Sequence, residues 1–256
     1  MSLRVHVLAS GSSGNATLYS TGGTHVLVDC GLSARVVTAL LRLAGVEPEE
    51  LSAVFVTHEH TDHIKGLPVF LKRRRIPLFI APECLESPAL AGCSFWGVEP
   101  LEAGRGIRLG RLAVSPFRVP HDAACCYGFA FEVDGVRAVQ ATDLGQPTPA
   151  VRRELKGAHC VLLEFNHDVD RLMEGPYPMH IKLRVRSALG HLSNDQAAGL
   201  LTETSNGSTQ ALYLMHLSRE NNLPALAHLA AQEALAGRRV HVEVTRHLQP
   251  ASPWEG

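Results

Sequence analysis

The chain has 256 residues, 45% of them hydrophobic and 19% charged, which is the balance of an ordinary globular protein. Its net charge is only -1, so attraction to a polyanion would have to come from a local basic patch or from bound cations. No apolar run approaches the ~20 residues that span a bilayer, and residues 1–9 turn polar too early for a secretory signal. The composition therefore predicts a cytoplasmic protein without a membrane partner.

Two residue types stand out. The six cysteines show no Cys-x-x-Cys spacing and mostly lie in apolar runs, which favours packing as small apolar side chains over disulfides or a zinc ribbon. Histidine is frequent, with 14 copies. Because histidine titrates near neutral pH and binds many metals, this enrichment directs attention to histidine clusters.

The first half of the chain alternates strand and helix patterns. Strands are predicted at residues 3–9, 16–19, 25–30, 53–56 and 78–81. Helices are predicted at about 33–43, with Ser33 as the N-cap, and at about 66–74. Residues 82–91 are predicted to be helical or irregular. Residues 92–110 are Gly-rich and poorly patterned, so they are predicted to cross into a second half.

The second half repeats this order. Strands are predicted at residues 112–119, 127–133, 136–141, 160–165, 211–215 and 240–245, and helices at 147–156, 193–204 and 223–236. Asp134-Gly135 is a strong hairpin signal, and Ser193 opens a capping box. Residues 168–190 give no clear pattern, and the tail after Pro250 is predicted to be frayed.

Two successive groups of strands, each followed by helices, fit an α/β fold. The predicted architecture is an αββα sandwich, in which two mixed sheets face each other and helices cover the outside. We predict one domain over residues 1–256, with two pseudo-repeated halves at about 1–110 and 111–250. Loops from both sheets should then bring their functional groups together along one edge.

The most informative stretch is residues 57–63, Thr-His-Glu-His-Thr-Asp-His, directly after a buried strand. On an extended strand end, His58 and His60 point to the same side and can reach one cation. Asp62 and His63 are aimed differently if a helical turn begins there, which makes a second cation plausible. The segment is not a His-Glu-x-x-His zinc helix, because Asp62 stands four positions after His58. The alternative is a solvated loop.

Three further candidates stand at strand ends. His121, Asp143 and His216 each follow an apolar run and precede turn residues, the position at which sheet proteins often carry functional groups. Taken singly, either histidine could be an ordinary residue, and Asp143 could cap a Gly-rich turn.

Together these residues resemble the pattern of the metallo-β-lactamase superfamily, and the resemblance covers most of the chain. It implies the αββα fold and two divalent metal ions, with zinc and manganese both suited to such ligands. Two cations can hold a hydroxide between them and lower its pKa towards neutrality. Carried over by position, His58, His60 and His121 would bind one metal, Asp62, His63 and His216 the other, Asp143 would bridge them, and Asp29 would hold a ligand histidine.

A closer resemblance is to the small bacterial YycJ/WalJ-type exonucleases, from which the chain departs at Phe165, where the family more often has a small residue. This resemblance implies a DNA exonuclease acting in the 5′→3′ direction. The matching stretches are residues 11–17, 57–66, 164–168, 183–187 and 190–194.

The second half carries two residues that are similar to an acid–histidine pair of the nuclease branch, which includes tRNA 3′-end endonucleases. There the pair lies beside the scissile phosphate. His191, oriented by Glu164, is our candidate to protonate the departing sugar oxygen. With Asp62, these residues are predicted to be catalytic. The alternatives are a helix-start histidine bonded to its own backbone and a surface acid.

Candidate contacts to the nucleic acid are polar or basic. They are Ser12, Ser13 and Asn15 in a small-residue loop, Asn166 and His167 beside Glu164, and Lys182 and Arg184, with Arg186 and residues 72–75 as further basic positions. A plain turn and a solvated helix face are the alternatives.

The sequence thus predicts a metal-dependent phosphodiesterase whose partner is a nucleic acid, DNA in the first instance. An RNA-processing nuclease is one alternative. A thioester or lactam hydrolase of the same fold is another, although it leaves Glu164 and His191 without a role. A redox di-iron module typically has a carboxylate where His60 stands, and a metal-dependent binding scaffold would lack nuclease activity. The oligomeric state is not predicted.

Overall fold

The computed structural model describes residues 2–256, and its strands form two seven-stranded sheets. The first sheet has the order β14-β1-β2-β3-β4-β5-β6 and the second β13-β12-β11-β10-β9-β8-β7. The strands are β1 (Arg4–Ala9), β2 (Ala16–Thr21), β3 (Thr24–Val28), β4 (Leu51–Phe55), β5 (Pro77–Ile80), β6 (Gly97–Pro100), β7 (Ile107–Leu109), β8 (Leu112–Arg118), β9 (Tyr127–Val133), β10 (Val136–Ala141), β11 (Cys160–Glu164), β12 (Ala211–Met215), β13 (His241–Val244) and β14 (Trp254–Glu255).

The helices lie between strands and after them. They are α1 (Ala34–Leu43), α2 (Thr61–Ile64), α3 (Leu67–Leu71), α4 (Pro82–Leu85), α5 (Pro149–Leu155), α6 (Val169–Glu174), α7 (Met179–Val185), α8 (Asn194–Thr204) and α9 (Pro224–Ala234), with a 3-10 turn at Pro48–Glu50. Within residues 2–256 no helix combines the length and the apolar character needed to cross a bilayer.

Both sheets share one pairing pattern. Starting from β14 in the first sheet, three antiparallel pairings are followed by three parallel ones. Starting from β7 in the second sheet, the same succession is found. Strands β3 and β10 therefore hold equivalent places in the two sheets, and the loops that follow them lie in equivalent positions.

The larger core lies between the sheets. Tyr19 on β2 stacks on Phe131 on β9 with 3.7 Å between ring centroids, and Phe55 on β4 meets the edge of Phe129. Aromatic pairs of this kind stabilise a core by about 0.5 to 1.5 kcal/mol beyond their buried area. A second core joins the other face of the second sheet to α5, α8 and α9. The αββα sandwich predicted from the sequence is confirmed.

Most predicted elements are also confirmed. Ser33 caps α1 through its hydroxyl, which accepts a hydrogen bond from Val36 N, and the capping box at Ser193 is present. All six cysteines are free. The predicted helix at 66–74 is shorter, because α2 and α3 divide residues 61–71 between them.

Of the two predictions about irregular segments, the crossing at residues 92–110 is confirmed and the frayed tail is wrong. The chain crosses between the sheets there, because β6 lies in the first sheet and β7 in the second. Both are short, largely exposed edge strands whose apolar pattern is too weak to detect locally. The tail is not frayed, because Trp254 pairs with Val5 on β1 and Leu3 N donates to Gly256 O at 2.9 Å. That pairing joins the two ends of the chain, which no local pattern can show. Residues 168–190, left unassigned by pattern, contain α6 and α7.

Candidate active site

The candidate ligands lie on loops that follow strands of both sheets and meet at one edge of the sandwich. In chain order, Asp29 follows β3, residues 58–63 follow β4, His121 follows β8, Asp143 follows β10, Glu164 ends β11 and His216 follows β12.

Three of these residues have a left-handed backbone. The φ angles of Asp29, Asp143 and His216 are 63°, 57° and 55°. A residue other than glycine in this region costs roughly 1 to 2 kcal/mol, and such residues concentrate at functional sites. Here the turn redirects the chain immediately after a strand, so the side chain points into the site.

Three histidines form the first ligand group. His121 Nε2 lies 3.3 Å from His60 Nδ1, and the His58 ring lies 4.6 Å from that of His60. His121 Nδ1 lies 3.1 Å from Gly190 O and donates a hydrogen bond to it. The lone pair of Nε2 therefore points at the other two histidines and is available to bind a cation. His58 Nδ1 lies 3.0 Å from Thr57 Oγ1. One nitrogen of each ring is thus available to a cation.

The second group contains two histidines and two carboxylates. Asp62 Oδ2 lies 3.5 Å from His63 Nε2 and 3.3 Å from His216 Nε2. Asp143 reaches both histidines, with Oδ2 3.4 Å from His63 Nε2 and Oδ1 3.4 Å from His216 Nε2. Atoms of Asp143 and His63 also lie within 4.8 Å of a nitrogen of His58. Asp143 therefore lies between the two groups.

Two buried atoms show that metal ions fit these residues. His58 Nε2 and Asp143 Oδ2 are buried and have no hydrogen-bond partner in the described part of the chain, an arrangement that is costly unless a cation satisfies them. Burial, reinforced by His63, lowers the pKa of His58 well below its ordinary value. The ring is therefore neutral, as a metal ligand must be.

Asp29 anchors the second group from behind. Its Oδ2 lies 2.8 Å from His63 Nδ1, and its Oδ1 accepts a hydrogen bond of 2.8 Å from Thr57 N. The Thr57 hydroxyl adds contacts of 3.0 Å to both carboxylate oxygens. A carboxylate on Nδ1 fixes the tautomer that leaves His63 Nε2 as the ligand atom. Thr57 was missed as a site residue by the sequence reasoning, although it opens the histidine segment.

Glu164 is buried, and both of its carboxylate oxygens have hydrogen-bond partners. Its Oε1 lies 2.7 Å from His191 Nδ1 and 3.3 Å from His216 Nδ1, and its Oε2 accepts hydrogen bonds of 3.1 Å from Leu144 N and Leu192 N. Burial alone raises the pKa of Glu164, but the charge and hydrogen bond of His191 outweigh it and hold the pKa below its ordinary range. Glu164 therefore orients two histidines at once.

His191 differs from the buried histidines around it. Its side chain is 21% exposed, against 4% for His216 and 0% for His63. The ring stacks on that of His216 at 5.3 Å between centroids. His191 is therefore partly exposed at the edge of the ligand cluster.

The chain matches a known family of proteins. Residues 24–217 match the beta-lactamase superfamily domain. This chain belongs to the β-lactamase superfamily. The resemblance predicted from the sequence is confirmed.

Within the superfamily, the similarity to two curated relatives extends over nearly the whole chain. Exodeoxyribonuclease WalJ of Streptococcus pneumoniae is 34% identical over 253 residues, covering 96% of this chain and 93% of that protein. Exodeoxyribonuclease YycJ of Bacillus anthracis is 35% identical over 241 residues, covering 92% and 90%. The crystal structure of YhfI from Bacillus subtilis, a metallo-β-lactamase fold protein, shares the fold with a TM-score of 0.78 at 19% identity over 100% and 99% of the two chains.

The structure brings together all seven predicted metal ligands of this superfamily member. It also places Glu164, His191 and Asp29 beside them. The predicted nucleic-acid contacts are more scattered. Ser12 and Ser13 are exposed, whereas Asn15 is buried, with Nδ2 3.0 Å from His63 Nε2 and Oδ1 accepting from Gly11 N.

Three of these predicted contacts need correction. Besides Asn15, Asn166 is buried and donates to His216 O at 2.9 Å, so both amides support the site rather than face a substrate. Lys182 is also buried, and its ammonium donates to Met173 O at 2.6 Å, which closes the end of α6. A basic residue in sequence does not show whether its charge reaches the surface.

Two other predicted contacts have different surroundings. His167 is buried beside Glu164, and burial lowers its pKa to about 4; no described residue offers a hydrogen bond to its Nδ1. Arg184 remains 59% exposed but is paired with Asp122 at 2.5 Å. A phosphate would have to compete with that carboxylate.

Gly31 permits the close approach of two loops under the second ligand group. A Cβ atom at this position would lie 1.6 Å from Asp62 O and 2.7 Å from Asn15 N. We expect Gly31→Ala to displace the Asp62 loop, weaken metal binding at least ~10-fold and destabilise the fold by about 1 to 3 kcal/mol. Metal titration and thermal unfolding measure the two effects.

Gly97→Ala is the matched control, because a Cβ there meets no atom within 4 Å. The two variants add the same methyl group at different places. Equal metal affinity in Gly31→Ala and in the unmodified protein would show that the contact with Asp62 is unimportant.

Proposed function

We propose that this protein is a metal-dependent exodeoxyribonuclease that degrades DNA from the 5′ end with two divalent cations, zinc or manganese, held by the seven ligands. The observation that carries the proposal is the Glu164–His191 pair beside Asp143 and His216, in a chain similar over nearly its full length to WalJ and YycJ. A hydrolase of thioesters or lactams gives this pair no role.

The residues of the site have separate roles in phosphodiester cleavage. When bound, the cations supply Lewis acidity to the phosphoryl oxygens and lower the pKa of water. Asp29 and Glu164 hold His63 and His216 in the tautomers that present Nε2 to the site. Because strand ends fix these groups in advance, little reorganisation is needed during the reaction.

We propose that His191 protonates the leaving oxygen. Glu164 Oε1 at 2.7 Å from Nδ1 orients the ring and favours its protonated form. With Nδ1 bound to that carboxylate, the opposite nitrogen carries the proton towards the partly exposed mouth of the site. The departing sugar oxygen leaves as an alcohol when it takes this proton.

The test is a digestion time course with 5′- and 3′-labelled oligonucleotides, single- and double-stranded, with Mn²⁺, Zn²⁺ or a chelator. We expect stepwise release of nucleotides from the 5′ end that stops with the chelator. Parallel reactions with RNA of the same sequence and with glutathione thioesters cover the alternatives. Cleavage of RNA faster than DNA would overturn the assignment of DNA as the substrate. Turnover of the thioester without cleavage of either nucleic acid would overturn the assignment as a nuclease.

A further inference from the structure

Two cavities flank the ligand cluster, and their charges are opposite. The larger, about 780 Å³, is bounded by His60 and Asp62 and carries the acids Glu59, Glu83 and Glu86. Its one arginine, Arg184, is already paired with Asp122. This cavity repels a polyanion.

The other cavity, about 460 Å³, carries cations that are not neutralised. Arg219 and Arg246 are exposed, and neither has a hydrogen bond or an ion pair from its side chain to any residue in 2–256. His247 adds a buried Nδ1 for which the described chain offers no hydrogen-bond partner. Among the lining residues, Glu220 is the only acid. We call this cavity the Arg219/Arg246 cleft.

The cleft borders the loop that carries the ligand His216. Its wall includes Ser10, whose hydroxyl accepts a hydrogen bond of 2.8 Å from the backbone N of the ligand His216. Leu217 and Ser218, the next residues along the chain, also line it. A strand held in the cleft therefore lies against the loop that carries the ligand His216.

The turn that carries Arg246 and His247 is conformationally strained. Leu248 has φ 52°, in the left-handed region that a leucine rarely adopts. Arg246 and Gln249 close this turn through an isolated bridge. Strain of this kind persists only where the surroundings enforce it, and it is concentrated at ligand-binding segments.

We propose that the Arg219/Arg246 cleft binds the nucleotide adjacent to the scissile bond, with both guanidinium groups on its phosphates and Ser12 at the rim. The proposal rests on the proposed function and adds the side on which the strand lies. The volume suits one nucleotide, since small-molecule sites start at about 300 Å³. The free arginines supply the sequence-independent attraction that an exonuclease needs, and the acidic cavity keeps the strand from the opposite side.

The test compares the charge-reversal variants Arg219→Glu and Arg246→Glu on two substrates. One is a single-stranded oligonucleotide, which carries further phosphates for the cleft, and the other is bis(p-nitrophenyl) phosphate, which carries no phosphate besides the one that is cleaved. We expect KM for the oligonucleotide to rise at least ~10-fold in each variant, and the slope of log KM against log salt to fall by about 1. Turnover of the small diester and metal content should stay unchanged.

Arg35→Glu is the control, because Arg35 is an equally exposed arginine on α1, in a different groove. It should shift oligonucleotide KM by less than about 2-fold. An unchanged KM in both cleft variants, with the unmodified protein active on DNA, would overturn the cleft assignment alone. An unmodified protein that cleaves no oligonucleotide at all would instead overturn the proposed function.

A second measurement locates the contact. Oligonucleotides with a single uncharged methylphosphonate next to the cleavage site remove one phosphate charge at a time. If the cleft binds that phosphate, the increase in KM caused by Arg219→Glu disappears on one of these substrates. That result is expected when the arginine and the phosphate interact directly. A penalty that is the same on every substrate would show that the arginine acts only at long range and would overturn the direct contact.

Discussion

Asp143→Ala is expected to lose bound metal and nuclease activity together. The carboxylate is buried and lies 3.4 Å from the ligand nitrogens of both His63 and His216, and its Oδ2 has no hydrogen-bond partner among residues 2–256. Removing it leaves the two ligand groups without the anion between them. Even residues that only orient a metal ligand change affinity 10- to 100-fold, so we expect a fall of more than ~100-fold.

Metal analysis of the purified variant and its rate on a labelled oligonucleotide measure both effects. Asp170→Ala is the control, because Asp170 is an exposed carboxylate on α6. This variant should retain both its bound metal and its nuclease activity. Two metal ions per chain in Asp143→Ala would refute the bridging role. Two ions with no activity would move Asp143 from metal binding to the chemical step.

His191→Ala is expected to keep its metal and lose at least ~10²-fold in kcat on DNA, the usual scale for general acid catalysis. Glu164 holds His191 Nδ1 at 2.7 Å and the His191 side chain is 21% exposed, which suits a proton donor. The loss should shrink on a p-nitrophenyl ester of thymidine 5′-phosphate, because p-nitrophenolate leaves without a proton.

The comparison of the two substrates separates chemistry from structure. An equal loss on both would show that His191 does not protonate the leaving group. Loss of metal would make it a ligand, which the 4.8 Å grouping of His191 with Asp143, Glu164 and His216 allows geometrically. His180→Ala, an exposed histidine on α7, is the control and should retain full activity on both substrates.

The parts of the site that the sequence predicted well are those written in short local patterns. His58 and His60 lie on one side of a strand end because side chains alternate there, whatever the rest of the chain does. Ser33 and Ser193 cap their helices for equally local reasons. Asp143 and His216 were found because an apolar run stopped at a polar residue, which marks the end of a buried strand.

The predictions that failed did so for one reason. The burial of a side chain and its hydrogen-bond partners depend on residues that are distant in the sequence. Lys182 looks like a surface cation in sequence, yet its ammonium is bound to Met173 O. The strand at Trp254 exists because β1 offers it an open edge. The cleft at Arg219 and Arg246 joins two turns whose approach no spacing indicates.

The sequence alone indicated the αββα class, because alternation and strand-end polarity act over a few residues, and its resemblance to a known superfamily supplied the seven candidate ligand side chains. Only the tertiary structure decided which of the polar side chains are buried and which are exposed. The same packing placed Asp143 between the two ligand groups and gave Glu164 two histidines to hold. Those properties are set by distances between loops far apart in the chain, and sequence spacing carries no measure of such distances.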